Sequence, residues 1–198
     1  MGLPIRYRTA VAKNPVGSVD WVIAAHQRLI AVGPAAVTVE GVARDLGVTK
    51  GSFYWHLRTR AELLTAALDR WAKEQTQALI DETEAAAGSA QQRIQVLFRR
   101  VAVVDPGLLG EAALYAAAPT EPLIAAALTR VTKARIGYVA SLLGQIGMPA
   151  DQAGIRARLA LAMVIGQRAL AHAVPALALD AAAGEQVTRT AIEILTRP

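Results

Sequence analysis

The chain has no cysteine, which excludes a disulfide framework and any thiolate metal site. Aromatic residues are few, at 5% of 198 positions. Long apolar runs are missing as well: the stretch Leu159 to Gly166 is closed off by Arg158 and Gln167, far too short for a membrane span. Arg6, Arg8 and Lys13 near the N-terminus are not followed by the apolar block of a secretory leader. A cytoplasmic protein without membrane association is therefore expected. The three histidines, His26, His56 and His172, stand on different segments with no histidine three or four residues away. No H-E-x-x-H, G-x-S-x-G or P-loop pattern occurs, and Asp81, Glu82 and Glu84 read as a solvated face. No catalytic residue, metal or cofactor is expected, and the chain does not read as an enzyme. Period-two alternation is also lacking, so the fold class expected is all-α.

What is present in quantity is apolar and helix-forming. Hydrophobic residues make up 54% and charged ones 19%, the surplus coming largely from alanine and leucine. The net charge of +5 is unevenly placed. Residues 1–60 hold eight basic and three acidic side chains, whereas residues 61–198 hold thirteen of each. The whole excess thus lies in the first third, as a segment that meets a polyanion would require.

Residues 1–17, with Pro4, Pro15 and Gly17, read as a flexible basic arm. Ser18 is expected to cap a first helix carrying Val22, Ala25, Leu29 and Val32 at helical spacing, stopped by Gly33-Pro34. Thr38 caps a short second helix whose stripe is Val39, Val42, Ala43 and Leu46. Gly47 ends it, and a third helix runs from Thr49 to about Leu57. Thr59 and Glu62 form a T-x-x-E capping box that opens a long fourth helix ending near Ala87-Gly88. Further helices are expected at 90–103, 108–117, 121–144, 152–173 and 183–196, about nine in all. Their breaks fall at Asp105-Pro106-Gly107, Pro119 to Pro122, Gly147-Met148-Pro149 and Pro175.

Two short helices joined by the turn Gly47-Val48 satisfy the geometry of a helix-turn-helix. Three of the nine aromatic residues are consecutive in the second of them, Phe53-Tyr54-Trp55, with His56 next. Helical spacing turns Phe53 and Leu57 toward the core beside Val42 and Leu46. Lys50, Ser52 and Trp55 then face elsewhere, and an exposed tryptophan on so short a helix calls for a partner. Gly51 leaves room for the backbone to approach a phosphate.

The run Thr38-Val39…Val42-Ala43…Gly47-Val48-Thr49-Lys50-Gly51-Ser52-Phe53-Tyr54-Trp55-His56-Leu57…Arg60…Glu62-Leu63-Leu64 resembles the N-terminal DNA-binding domain of the TetR family of bacterial transcriptional regulators. The resemblance covers about residues 18–68, with Ala24-Ala25, Leu29 and Gly33 also in place. It implies that Thr38 binds a backbone phosphate and that Thr49, Lys50 and Ser52 contact phosphates and base edges. Trp55 would contact a base or sugar, while Tyr54 and His56 would hydrogen-bond phosphates and set register. Arg60 stands where the family usually has a lysine, which keeps a phosphate contact with altered geometry. Leu57 and Leu46 replace a usual phenylalanine and a usual small residue, a matter of local repacking.

The resemblance further implies two domains after the arm, a DNA-binding domain over 18–62 and a helical regulatory and dimerisation domain over 63–198. In such a protein the last two helices pair two copies. Leu159, Met163, Gly166 and Leu170, then Val187, Ala191 and Ile194, are the candidates here. A cavity for a small effector would lie between the ends, with Trp71, Gln75, Phe98, Leu114, Tyr115 and Tyr138 as candidate lining. The scarcity of charge along 108–128 favours an uncharged, mostly apolar ligand. The expected function is a homodimeric repressor that leaves a palindromic operator when its ligand binds. A ligand-independent DNA-binding regulator, or a helical small-molecule-binding or scaffold protein without DNA affinity, are the alternatives.

Overall fold

The computed structural model describes residues 16–86, 88–102 and 109–197, so the arm's Arg6, Arg8 and Lys13 and the break at Asp105-Pro106-Gly107 lie outside the described residues. Among those residues there are helices and no strands, in the order α1 (Ser18–Val32), α2 (Val39–Leu46), α3 (Lys50–Phe53), α4 (Arg60–Ala72), α5 (Ala78–Ala85), α6 (Ala90–Ala102), α7 (Leu109–Ala117), α8 (Pro122–Gln145), α9 (Ala150–Ala173) and α10 (Ala181–Thr196). A π-helical stretch, Lys73–Gln77, joins α4 to α5. The three pieces make one continuous rod, so nine rods are found among the described residues, in line with the about nine helices expected from the sequence.

The start of α1 differs from expectation. Gly17, not Ser18, is the N-cap, because Asp20 reaches back and accepts from the Gly17 N–H at 2.8 Å. That carboxylate also complements the positive end of the helix dipole. Thr38 does cap α2, its Oγ1 accepting from the Gly41 N–H at 3.0 Å. Thr59 caps α4 by accepting from the Glu62 N–H at 3.1 Å. The return bond expected of a capping box goes one residue further back, from the Arg58 N–H to Glu62 (2.8 Å). The third helix is shorter than predicted: regular structure stops at Phe53, and 54–56 continue as turns closed by the His56 and Leu57 N–H groups on the Phe53 carbonyl.

One apolar cluster joins α1 to α4 with α7 and the first half of α8. Trp21, Leu29, Phe53, Leu63 and Leu64 are wholly buried in it, and each such side chain contributes roughly 1.5–3 kcal/mol by leaving water. Trp21 and Phe53 meet edge to face, ring centres 5.1 Å apart, a geometry aromatic quadrupoles favour. Leu114, Ile124 and Leu128 of α7 and α8 belong to the same cluster, so helices 1 to 4 do not close a core by themselves. Gly33 sits at this junction with φ +104°, and a Cβ there would come within 2.9 Å of the Ala113 Cβ. A second cluster joins α6, the second half of α8, α9 and α10. No helix among the described residues is long and apolar enough to cross a membrane.

Candidate nucleic-acid interface

The segment from Thr49 to Leu57 is anchored by Phe53, which is fully buried, and by Leu57, packed against the same core. Because the anchors alternate with other residues on helical turns, everything between them is forced outward. Thr49, Lys50, Gly51, Tyr54, Trp55 and His56 are exposed and Ser52 is half-buried. Trp55 is 87% exposed and Tyr54 58%, although Tyr54 also rests edge-on against Phe53 at 5.2 Å. One surface therefore carries hydroxyl, imidazole, indole N–H and ammonium donors on a rigid base. That donor-rich composition suits phosphate oxygens and base-edge acceptors.

Several of these groups already have partners. The Ser52 hydroxyl donates to the Thr49 carbonyl at 2.8 Å. Lys50 Nζ donates to Glu40 at 2.5 Å, which holds the Glu40 carboxyl below the usual carboxylate range and raises Lys50. Thr38 uses its oxygen as acceptor and keeps its O–H free to donate outward. Arg60 is placed differently from expectation. Its Nε donates to the Val37 carbonyl at 2.7 Å and an Nη to the Pro34 carbonyl at 3.1 Å, tying the start of α4 to the α1–α2 connection.

Arg28 and Trp21 also hold this end together, without a local signal in the sequence. Arg28 forks onto Asp45 with a shortest distance of 2.6 Å and donates to the Ala36 carbonyl at 3.0 Å. It thereby fixes α1 against α2, and it packs so tightly that a Cβ on Gly41 would meet its Nη1 at 2.6 Å. These partners lie 17 and 8 residues apart in the chain, beyond any helical spacing rule. Trp21 belongs to the apolar face of α1, but its ring carries no local sign that it will meet Phe53.

Residues 23–67 match the sequence profile of the bacterial regulatory proteins of the tetR family. The N-terminal region is a TetR-family DNA-binding domain. The remainder follows the same plan. A transcriptional regulator from Rhodococcus sp. Rha1 shares 23% identity, covers 91% of this chain and 96% of its own, and superposes with a TM-score of 0.75. A TetR-family regulator from Streptomyces coelicolor gives 19% identity, 95% and 92% coverage and a TM-score of 0.74. A regulator from Saccharomonospora viridis, crystallised in complex with choline, gives 13%, 90% and 94%, and 0.71. At these identities the likeness is one of fold. No curated protein sequence matches the chain.

Beyond the TetR-family domain, a cavity of about 220 Å³ lies between the π-helical stretch, α5, α6, α8 and α9. Of the candidates for an effector site, Gln75, Phe98 and Tyr138 line this cavity, whereas Trp71, Leu114 and Tyr115 do not. Trp71 and Leu114 are buried in the first core, and Tyr115 packs against that core. Charge enters the cavity wall from outside 108–128, as Glu74, Glu82, Arg100, Arg135 and Arg168. This removes the ground for expecting an uncharged site. Arg135 donates to buried Glu111 (2.5 Å), to the Thr76 hydroxyl (3.0 Å) and to the Gln75 carbonyl (3.3 Å). It also lies 5.7 Å over the Trp71 ring. The π-helical stretch loosens the regular bonding ladder at this place, and Arg135 takes up one of the carbonyls. Arg168 donates to the Val101 carbonyl at 3.1 Å and lies 3.6 Å from Glu111. Burial and Glu84, which accepts from its hydroxyl at 2.7 Å, push the Tyr138 phenol well up.

The predicted pairing residues divide. Leu159, Leu170 and Ile194 are at least half exposed, while Ala191 is 5% exposed and belongs to the second core. Met163, Gly166 and Val187 are half-buried. The stripe expected along Val187, Ala191 and Ile194 is thus rotated, with Ala191 turned inward beside Leu195 and Ile194 outward. Among the described residues, no cluster of three or more His, Asp or Glu could hold a metal ion.

Proposed function

We propose that this TetR-family regulator is a cytoplasmic, non-enzymatic homodimeric repressor, released from a palindromic operator when a small molecule fills the cavity behind Arg135. The observation that carries the DNA reading is the exposed donor face from Thr49 to His56, set on fully buried Phe53. Thr38, Thr49, Tyr54 and His56 position the helix on phosphates; Gly51 permits close approach, and Lys50, Ser52 and Trp55 meet base edges. Arg60, engaged with two carbonyls, acts chiefly by fixing the helix-turn-helix to α4. A single short helix reads too few base pairs, so two copies must present theirs about 34–36 Å apart. The aliphatic groups left open on α9 and α10 supply a face for that pairing.

The effector is a small molecule with a polar group for the Arg135 end of the cavity and an apolar body for Leu79, Leu97, Phe98 and Val139. Its site reaches the DNA-binding half through Glu74. Glu74, on the cavity wall, lies 3.6 Å from buried His26 of α1. A ligand that prefers a shifted π-helical stretch would move α1 and change the spacing of the recognition helices. Selection from randomised duplexes by gel shift tests the proposal: salt-dependent recovery of a palindrome is expected, and recovery of none overturns it. Thermal-shift screening of small metabolites with wild type and Arg135→Ala tests the effector site. A stabilising compound whose effect is lost in the variant is expected, and equal stabilisation of both places the site elsewhere.

A further inference from the structure

Three acidic side chains belong to the described part of the DNA-binding end before α4: Asp20, Glu40 and Asp45. Asp20 serves the α1 cap and Asp45 holds Arg28. Glu40 has neither task. It stands in the first turn of α2, and its partner is Lys50 of α3, at 2.5 Å with both side chains more than half exposed. The donor face thus contains one carboxylate, beside its one ammonium group.

A carboxylate on a surface that meets phosphates is repelled by them. In a groove it is matched only where a base edge offers a donor, and for Glu that partner is the N4 amino group of cytosine. Lysine is matched by O6 and N7 of guanine. In a G·C pair the guanine O6 and the cytosine N4 are hydrogen-bonded to each other, about 3 Å apart. A carboxylate and an ammonium in contact present the complementary order at the same spacing.

We propose that Glu40 is a specificity-determining residue that reads a G·C pair together with Lys50. Glu40 accepts from the cytosine N4 amine while Lys50 donates to the guanine of the same pair. The inference rests on α3 being the recognition helix. Against other sequences the carboxylate stays unmatched and repelled, so Glu40 weakens non-cognate binding.

The test uses the full chain in half-site selection and in direct titration of the selected duplex. One variant duplex replaces each G·C pair in turn with A·T, at fixed salt. For wild type, one G·C position discriminates about tenfold. Glu40→Ala loses that preference at that position alone, and binds non-cognate duplex several-fold more tightly. Lys50→Ala loses the same position, and the double variant loses no more than either single one. Both residues are exposed, so unchanged melting temperatures are expected to confirm folded variants. A Glu40→Ala protein that selects the same half-site with undiminished preference overturns the inference and leaves the DNA reading intact. A wild-type protein that binds no duplex overturns both.

Discussion

At the DNA-binding end, the large groups left outside the core on the Thr49 to Leu57 segment are Tyr54 and Trp55; at the other end, α9 and α10 leave Ile155, Leu159, Leu170 and Ile194 at least half exposed. The first pair carries an O–H and an N–H beside Lys50, and so can satisfy a polar, charged partner edge by edge. The second group is aliphatic, with nothing to offer water or phosphate, and only another apolar face covers it well. The N-terminal end is complete as packing and open as chemistry, while the C-terminal end is unfinished as packing. The charge distribution agrees, since all of the net positive charge lies in residues 1–60.

Phe53→Ala should break the first half of the comparison with the largest effect. It empties a wholly buried site that supports both Trp21 and Tyr54, and such truncations cost about 3–5 kcal/mol. Urea unfolding followed by circular dichroism checks this, and loss of DNA binding is expected with it. A cost below about 1 kcal/mol would mean that the segment is not anchored as described. Leu159→Glu combined with Ile194→Glu tests the other half. Introducing carboxylates into a face that pairs should raise the dimer dissociation constant at least thirtyfold, corresponding to the roughly 2 kcal/mol or more of an interface hot spot. Sedimentation equilibrium reads this directly, and helicity should persist because both residues are exposed in the single chain. An unchanged dimer would show that the two ends do not differ in this way.

Smaller changes sharpen the division of labour on the Thr49 to Leu57 segment. Tyr54→Phe should weaken binding to every duplex alike, by about 1 kcal/mol for a lost hydrogen bond. Trp55→Ala should instead alter the preferred site in a selection. If Tyr54→Phe shifts the site and Trp55→Ala weakens binding uniformly, the two roles are reversed.

Legibility in the sequence follows the range of the interactions. Caps at Thr38 and Thr59, the stops at Gly33 and Gly47, and the inward turn of Phe53 all depend on neighbours within four or so residues. They can be read directly. The links between segments far apart in the chain cannot. Arg60 reaches the Val37 and Pro34 carbonyls 23 and 26 residues back, and Arg135 finds Gln75 and Thr76 some 60 residues away. Nothing in local spacing foretells such partners. Trp71 and Tyr115 depart from expectation for a related reason, since an aromatic ring on an amphipathic helix looks the same whether it lines a core or a cavity. Ala191 shows the limit of periodicity: a stripe defines a face, but not whether that face meets its own chain or a second one.

The smallest effect separates a buried histidine on α1 from an exposed one on α9. His26 is 4% exposed, and burial lowers its pKa from the usual 6.5; Glu74 offsets part of this and Arg70 adds to it. The folded protein therefore resists a proton that the unfolded chain accepts. Between the two pKa values the unfolded state binds more protons, so stability rises with pH there. The contribution is fully present above about pH 6.5 and is lost as pH falls from there toward the lower, folded value. Melting temperatures taken from about pH 7.5 down to about pH 5 should fall for the wild type and fall less for His26→Gln, which cannot take up the proton. His172, exposed on α9, provides the matched control as His172→Gln. Should His26→Gln follow the wild-type slope throughout that range, His26 would carry no proton linkage, and the ion pair with Glu74 would have to form without cost to the core around it.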